Sequence, residues 1–256
     1  MNTRLRRFAD REAIVADEWQ DLVQSADVWS LGDPVGTGES GSLHITGEDS
    51  LCGIAKPAFQ KQMPRAAHEK IAADLAHALG LPVPPVILWT NPVGGAQFAI
   101  SLRAFSQPLT WGQASHLTGK ANFLSACADT LAAGYVFHVW LGDTDHGGNP
   151  GNILIDANSS EESPGLAFID HAFSLSYAWP APAPPLSHIG GYYLAHDQLP
   201  KSAIAKTVEW VQDISPEGIE RIVRRIPTSF LAVDRADFIV ECLISRRGQL
   251  TGFFGI

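Results

Sequence analysis

The sequence predicts an α+β fold with two lobes, a strand-rich first half that carries one main helix and a second half that is helical. Short apolar runs separated by Gly- and Pro-containing turns indicate strands over roughly the first hundred residues. Beyond residue 120, apolar residues recur mostly at helical spacing. We therefore place the lobes at residues 1–107 and 108–256 of one domain, joined between about Arg103 and Gly112.

The main helix of the first half is predicted over Arg65–Leu79. Ile71, Leu75 and Leu79 share one face of that helix, and the following Gly80 supplies a stop signal. Strands are predicted where apolar runs end at turn residues. They cover residues 43–45, 51–56, 84–89 and 97–102, and then a hairpin over 153–155 and 166–169.

The second half opens with a long apolar-striped helix, predicted over residues 121–141. Three further helices are predicted at 201–212, 215–226 and 234–247. Ser215 followed by Pro216 is a good helix start, because Ser caps the backbone and Pro fits the first turn. The Pro-rich stretch at 180–185 excludes a helix or a central strand, so we expect an exposed loop there.

Composition limits the function classes. The chain has 256 residues, 45% of them hydrophobic and 18% charged, which is typical of a globular protein. Its net charge of -9 argues against nucleic-acid binding by the chain itself, since phosphate backbones need clustered Lys and Arg. Three cysteines without a CxxC pair indicate neither a zinc site nor a disulfide framework. With no signal peptide and no long apolar run, we expect a cytoplasmic protein without membrane attachment.

The stretch LGDTDHGGNPGNILID at 141–156 is the most informative part of the chain. It supplies Asp143, Asp145, Asn149 and Asn152, and Asp170 follows beyond the next predicted strand. Carboxylate and amide oxygens that converge in this way suit Mg²⁺. An Asp on a loop, an Asn shortly after it and an Asp after the next strand form the base and metal set of kinase-type phosphoryl transfer.

A single lysine in the first half stands in an otherwise apolar run. Lys56 ends the strand-like run LCGIAK, and Glu69 lies on the helix that follows. A strand Lys held by a helix Glu is positioned to contact nucleotide phosphates as a point charge. The alternative is that both residues lie on the surface, as most Lys and Glu residues do.

A Gly-rich turn precedes the Lys56 strand. Its residues Gly36, Thr37, Gly38 and Ser40 are candidates for nucleotide binding through backbone N–H groups. The turn is not a Walker A loop, because Ser42 stands where that motif has Lys. A plain hairpin turn is the competing interpretation.

Other catalytic motifs are incomplete. The HxHxDH zinc motif would need histidines at the positions of Leu141 and Asp143, and HExxH would need one at Ala72. The sequence has no GxSxG elbow. The remaining histidines are scattered, and we interpret each as a packing or capping residue: His77, His116, His138, His188 and His196.

Taken in order, these segments resemble the HipA-like kinases, which are related to the phosphoinositide kinases and aminoglycoside phosphotransferases of the protein-kinase-like fold. The resemblance is carried by IAKP at 54–57, HEKIAADLAHALGLPVPP at 68–85, GDTDHGGNPGNILID at 142–156 and FIDHAFSL at 168–175. It covers about Trp29 to Tyr177, and GLPVPP after a Glu-bearing helix is fairly specific to HipA-like chains.

The resemblance implies ATP- and Mg²⁺-dependent phosphoryl transfer to a hydroxyl group, with protein Ser/Thr or a small molecule as acceptor. It implies that Lys56 contacts the α- and β-phosphates and that Glu69 holds Lys56. Asp145 would orient and deprotonate the acceptor. Asn152 and Asp170 would hold Mg²⁺, and adenine would lie between the lobes near residues 103–107.

Several features of the chain depart from the family pattern. The usual spacing from Asp to Asn falls on neither Asn149 nor Asn152 when counted from Asp145, so Asp143 is an alternative base and Asn149 an alternative metal ligand. Two other functions remain open. One is a pseudokinase that binds nucleotide without efficient transfer, and the other is a toxin–antitoxin component that acts through an antitoxin-like protein partner.

Overall fold

The first half is built on one six-stranded sheet. In the computed structural model, which describes residues 22–36, 41–47, 51–59, 63–117, 120–143, 145–160, 164–176 and 184–256, its strands are Gln24–Ser25 (β1), Ser30–Pro34 (β2), Leu43–Thr46 (β3), Cys52–Pro57 (β4), Val86–Thr90 (β5) and Gln97–Leu102 (β6). Their spatial order is β1-β5-β6-β4-β3-β2. β1 pairs parallel with β5, and the other neighbours are antiparallel.

Both faces of this sheet are covered by apolar side chains. One face has its own small core, formed by Trp29, Ile45, Ala55, Ile87, Trp89, Phe98, Ile100 and Leu102. The opposite face packs against helix α1, Arg65–Ala78. Because successive side chains of a strand alternate between faces, Ala55 joins the small core while the next residue, Lys56, points toward α1.

Helix α1 lies between the sheet and the helical half, and it is buried from Arg65 through Ala76. Its alanines allow this close packing on all sides. The chain leaves the helix through Gly80, whose φ of +66° lies in the left-handed region that favours glycine. Burial on every side explains how a helix in the first half carries charged residues into the interior.

The second half contains five helices among its described residues: Trp111–Leu117 (α2), Lys120–Leu141 (α3), Lys201–Asp213 (α4), Pro216–Arg224 (α5) and Val233–Phe254 (α6). It also contains a small antiparallel sheet of Pro108–Thr110 (β7), Ile153–Asp156 (β8) and Leu166–Phe168 (β9), in that order. α3 packs closely on β9, since a Cβ at Gly134 would lie 2.3 Å from the Phe168 ring. This packing places the loops after α3 and β9 side by side.

The predicted α+β fold class is confirmed, with local differences. The helix predicted to end at Arg247 continues to Phe254, because Leu250 is buried in the main core and outweighs the stop signal of Gly248. β2 was not predicted because all five of its residues are exposed and show no apolar alternation. The short elements β1, β7 and α2 also went unpredicted.

Two sequence expectations are touched only in part by the described residues. The lobe boundary at 107/108 remains a prediction, and β7 begins at Pro108. In the Pro-rich stretch, Pro184 and Pro185 lie outside helices and strands, and residues 180–183 are outside the described part. Arg246 holds this segment, because its Nη1 donates to the Pro184 carbonyl at 2.6 Å.

None of the described helices has the length and apolar character needed to cross a membrane.

Candidate active site

A lysine from the sheet meets two carboxylates from different parts of the chain. Lys56 pairs with Ala99 across β4 and β6, and its side chain is only 9% exposed. Its Nζ forms an ion pair with Glu69 of α1 and lies 2.9 Å from Asp170 Oδ1, in the loop after β9. The predicted partnership of Lys56 and Glu69 is thus present in the geometry, and Asp170 joins it.

Charge neutralisation explains how Lys56 tolerates its burial. Burial by itself would lower the pKa of Lys56, but the carboxylates of Glu69 and Asp170 outweigh it and raise that pKa. The same lysine outweighs the burial of Asp170 and lowers the pKa of its carboxyl group. A charged lysine and a charged Asp170 therefore coexist in a largely enclosed site.

Glu69 also fixes the loop that carries Asp170. Its second oxygen, Oε2, accepts a hydrogen bond of 3.1 Å from the backbone N–H of His171. Burial raises the pKa of Glu69, Lys56 lowers it and Asp170 raises it again, with a net rise. We treat Glu69 as ionised near neutral pH, because it faces an ammonium and a backbone donor at once.

The backbone of Asp170 adopts an uncommon conformation. Its φ is +63°, in the left-handed region that a residue with a side chain rarely enters, although Asp does so more readily than most. Strain of this kind persists only where surrounding contacts hold it, and it concentrates at functional sites. Here the contacts are the Lys56 ion pair and the bond from His171 N to Glu69.

Asp145 and Asn152 meet in the neighbouring loop, between α3 and β8. Asn152 Nδ2 donates to Asp145 Oδ2 at 2.7 Å. The carbonyl of Asn152 accepts from Ile169 N at 2.9 Å, which ties the start of β8 to the residue before Asp170. Asp145, Asn152 and Asp170 therefore lie on two connected loops at one end of the β8–β9 hairpin.

The two alternative residues have other contacts. Asp143 is buried, its Oδ1 accepts from Asp145 N at 2.9 Å, and its Oδ2 accepts from Ser174 Oγ at 2.5 Å. Burial would raise the pKa of Asp143, but His146 beside it brings the pKa far below its usual range. Asn149 is exposed, and its Oδ1 accepts from Gly151 N at 3.1 Å, as in a tight turn.

The turn predicted to bind nucleotide is described only in part. Gly36 has a φ of +63°, consistent with a tight turn, whereas Thr37, Gly38 and Ser40 lie outside the described residues. The segment predicted to lie beside adenine, residues 103–107, connects β6 to β7. Arg103 fixes it by donating to the carbonyls of Phe105 at 2.9 Å and Ser106 at 2.6 Å.

One cation of the site was missed by the sequence analysis. Arg65, the first residue of α1, is 3% exposed, and its Nε has no hydrogen-bond partner within the described part of the chain. Its guanidinium lies 5.0 Å from the centroid of the Phe173 ring and helps to lower the pKa of Asp170. An arginine between a helical pattern and a proline gives no sequence signal for this placement.

The donor set fits Mg²⁺. Asn152 uses its amide nitrogen on Asp145, so its side-chain oxygen remains for a ligand, and Asp170 supplies a partly exposed carboxylate. Hard oxygen donors of this kind are what Mg²⁺ prefers, usually with waters and substrate phosphates completing the shell. Lys56 and Arg65 add two positive charges near the same carboxylate.

No protein-family model matches this chain, and no curated protein matches it significantly. Several solved structures, in contrast, are similar to this chain. The crystal structure of the Helicobacter pylori proinflammatory kinase CtkA matches with a TM-score of 0.64 at 13% identity, covering 89% of this chain and 95% of that one. WaaP in complex with acyl carrier protein matches with a TM-score of 0.42 at 13% identity, covering 86% and 89%, which is too low to support an argument. The likeness to CtkA shows that this chain has a protein-kinase-like fold.

Proposed function

We propose that this chain is a HipA-like, ATP- and Mg²⁺-dependent phosphotransferase that transfers the γ-phosphate to a hydroxyl group, with protein Ser/Thr as the acceptor. The observation that carries the proposal is the position of Lys56 Nζ between Glu69 and Asp170, 2.9 Å from the latter. It joins the sheet, the buried helix and the loop after β9 at one point. The fold shared with CtkA supports it.

In this proposal, positioning and charge do most of the work. Lys56 binds the α- and β-phosphates as a point charge and is kept in place by Glu69. Asn152 and Asp170 hold Mg²⁺, which neutralises charge on the phosphate oxygens when bound. Arg65 adds a second cation near the phosphates, and its unpartnered Nε is free to bond a phosphate oxygen.

We assign to Asp145 the role of the base that removes the proton of the acceptor hydroxyl. Its neighbour Asp143 has both oxygens engaged by Asp145 N, His146 N and Ser174 Oγ, so Asp143 positions the loop. Asp145 has a side-chain bond from Asn152 only to its Oδ2, which leaves its Oδ1 for the acceptor hydroxyl. For the same reason we assign the metal-ligand role to Asn152, since Asn149 is exposed and caps a turn.

The test measures phosphate transfer from Mg·ATP to a Ser/Thr peptide library and to small hydroxyl compounds. Asp170→Asn and Asp145→Asn should each lower transfer by about 10²-fold or more, as expected when one electrostatic or proton-accepting group is lost. Asp129→Asn, on the exposed surface of α3, is the matched control and should keep wild-type transfer.

Two results would overturn the proposal. Unchanged transfer in Asp170→Asn would remove its central residue. Stabilisation of the wild-type protein by ATP without transfer to any acceptor would identify a pseudokinase instead. An antitoxin-like protein partner stays a prediction, and co-purification of a specific protein with the intact chain would test it.

A further inference from the structure

Three histidines that are far apart in the sequence meet in the interior of the second half. His138 comes from the last turn of α3, His146 from the loop after it, and His171 from the loop after β9. Their exposures are 0%, 0% and 1%. One ring nitrogen of each lies within 4.8 Å of the others. We call this set the histidine cluster.

The closest nitrogens of the cluster have a separation that fits a shared ion. His138 Nε2 and His171 Nε2 are 3.3 Å apart. Two nitrogens bound to one tetrahedral Zn²⁺, at about 2.0–2.1 Å each, are separated by roughly 3.3 Å. The spacing therefore matches an edge of a zinc tetrahedron. In the structure the same two nitrogens form a hydrogen bond, which a shared ion would replace.

The third histidine has no hydrogen bond on either ring nitrogen. His146 Nδ1 and Nε2 are both buried and neither is hydrogen-bonded within the described part of the chain, although Nδ1 lies near Asp143. A buried polar atom in this state costs free energy, so it calls for a ligand or an ordered partner. A metal ion shared with His138 and His171 would satisfy it.

The outer nitrogens of two rings already face the groups that metal-bound histidines usually have. His146 Nδ1 lies 3.1 Å from Asp143 Oδ2, although without hydrogen-bond geometry, and His138 Nδ1 lies 3.4 Å from the hydroxyl of Tyr192. A carboxylate on the far nitrogen of a metal-binding histidine fixes the ring and raises its affinity for the ion. Asp143 also supplies a negative charge within the cluster to offset the charge of a divalent cation.

We propose that His138, His146 and His171 form a structural Zn²⁺ site, with Asp143 as the carboxylate that orients His146. Imidazole nitrogen suits Zn²⁺ better than Mg²⁺, which prefers oxygen, so this site is distinct from the proposed nucleotide-metal site. Burial, with His146 next, lowers the pKa of His171 to about 3 and that of His138 well below its usual range. Neutral imidazole is the form that binds metal.

Binding requires a small rearrangement of one ring. The His138 and His146 rings are stacked, with centroids 3.9 Å apart and planes at 18° to each other. A metal lies close to the plane of each imidazole that binds it, so it cannot meet two stacked rings at once. One of these rings must therefore turn when the ion enters, and the unpartnered Nε2 of His146 makes that ring the one that moves.

The consequence of such a site would be mechanical. The ion would join the end of α3 to the loop of Asp145 and to the loop of Asp170, since His146 and His171 are their immediate neighbours. The ion would fix the positions of the Asp145 loop and the Asp170 loop relative to each other. The proposal does not depend on phosphoryl transfer, and it can fail or succeed independently of the proposed function.

The experiment measures metal binding directly. The full chain, produced in medium with added zinc and purified with reducing agent, is analysed by mass spectrometry of the elements. It is then stripped of metal and titrated with Co²⁺, which reports tetrahedral coordination through its visible absorption. We expect about one tightly bound ion per chain, and no thiolate-to-cobalt absorption, because the proposed ligands are imidazoles.

Matched variants assign the ligands. His146→Asn should abolish tight binding, and Asp143→Asn should weaken it by about 10–100-fold, as losses of orienting partners do. His77→Asn, a histidine near the end of α1 and outside the cluster, should bind as the wild type does. Circular dichroism shows whether each variant is folded.

Two outcomes would overturn the site. The first is a folded, metal-stripped wild-type protein that binds neither Zn²⁺ nor Co²⁺, which would leave the cluster as a group of packed rings. The second is tight binding that persists in a folded His146→Asn variant. If His146→Asn fails to fold, the cobalt spectrum and stoichiometry of the wild-type protein still decide.

Discussion

Asp170 and His171 are adjacent in the chain but belong to two clusters of opposite character. The Lys56–Glu69–Asp170 cluster is charged, and Asp170 in it is 29% exposed. In the histidine cluster all three rings are closed to solvent, and burial lowers the pKa of His138 and His171. We therefore propose that the charged cluster takes part in catalysis and that the histidine cluster stabilises the structure.

The largest expected effect comes from removing the lysine of the charged cluster. Lys56→Met leaves Glu69 and Asp170 facing each other with no ammonium between them. Breaking a buried ion pair from one side typically costs about 3–5 kcal/mol of stability. We expect a loss of that order in urea unfolding and, under the proposed function, loss of phosphate transfer as well.

Lys70 provides the matched control for this prediction. It is fully buried on α1, with its Nζ 2.8 Å from Asp74 Oδ1, and it lies outside the proposed site. Lys70→Met should also destabilise the protein, while the folded fraction keeps its transfer activity. If both variants kept wild-type activity per folded molecule, Lys56 would act through stability alone.

A smaller effect is expected in the loop that carries Asp145 and His146. A Cβ at Gly147 would lie 2.4 Å from the carbonyl oxygen of Gly190, so the backbone must shift in Gly147→Ala. We expect a loss of about 1–3 kcal/mol, as for other overpacked sites, and reduced transfer because Asp145 moves with the loop. Thermal unfolding and transfer assays measure the two effects.

The neighbouring glycine is the control. A Cβ at Gly148 meets nothing within 4 Å, so Gly148→Ala should stay within about 0.5 kcal/mol of the wild type. If the two variants behaved alike, the contact between Gly147 and Gly190 would have no part in holding the loop.

The effect that is smallest near neutral pH concerns acid stability. Burial, with Arg235 next, lowers the pKa of His68 from 6.5 to about 3 in the folded protein. The unfolded chain therefore binds one more proton than the folded chain between these values. The contribution of His68 to the free energy of unfolding is fully present above about pH 6.5. It decreases by about 1.4 kcal/mol per pH unit as the pH falls toward 3.

His68→Gln should reduce that slope in urea unfolding measured between pH 7 and pH 5. A slope that is the same in His68→Gln and in the wild-type protein would contradict a buried neutral His68.

Much of the proposed site was predictable because its residues stand in local patterns. Lys56 ends an apolar strand, Glu69 lies on the next helix, and Asp145, Asn152 and Asp170 flank a short hairpin. Strand and helix periodicity extend over a few consecutive residues, so both can be recognised from the sequence alone. Short or exposed elements such as β2 and α2 lack that periodicity and were missed.

By itself, the sequence determined the α+β class, the order of the main elements and the residue types that suit phosphates and Mg²⁺. Tertiary structure alone decided which carboxylate keeps an oxygen for a substrate. Both oxygens of Asp143 accept hydrogen bonds, from Ser174 and from backbone donors, whereas Asp145 Oδ1 accepts none from another side chain. It also brought together His138, His146 and His171, which the sequence shows only as scattered histidines. The physical reason is that side-chain convergence depends on how α3 packs against β9, and packing between distant segments leaves no periodic trace in the chain.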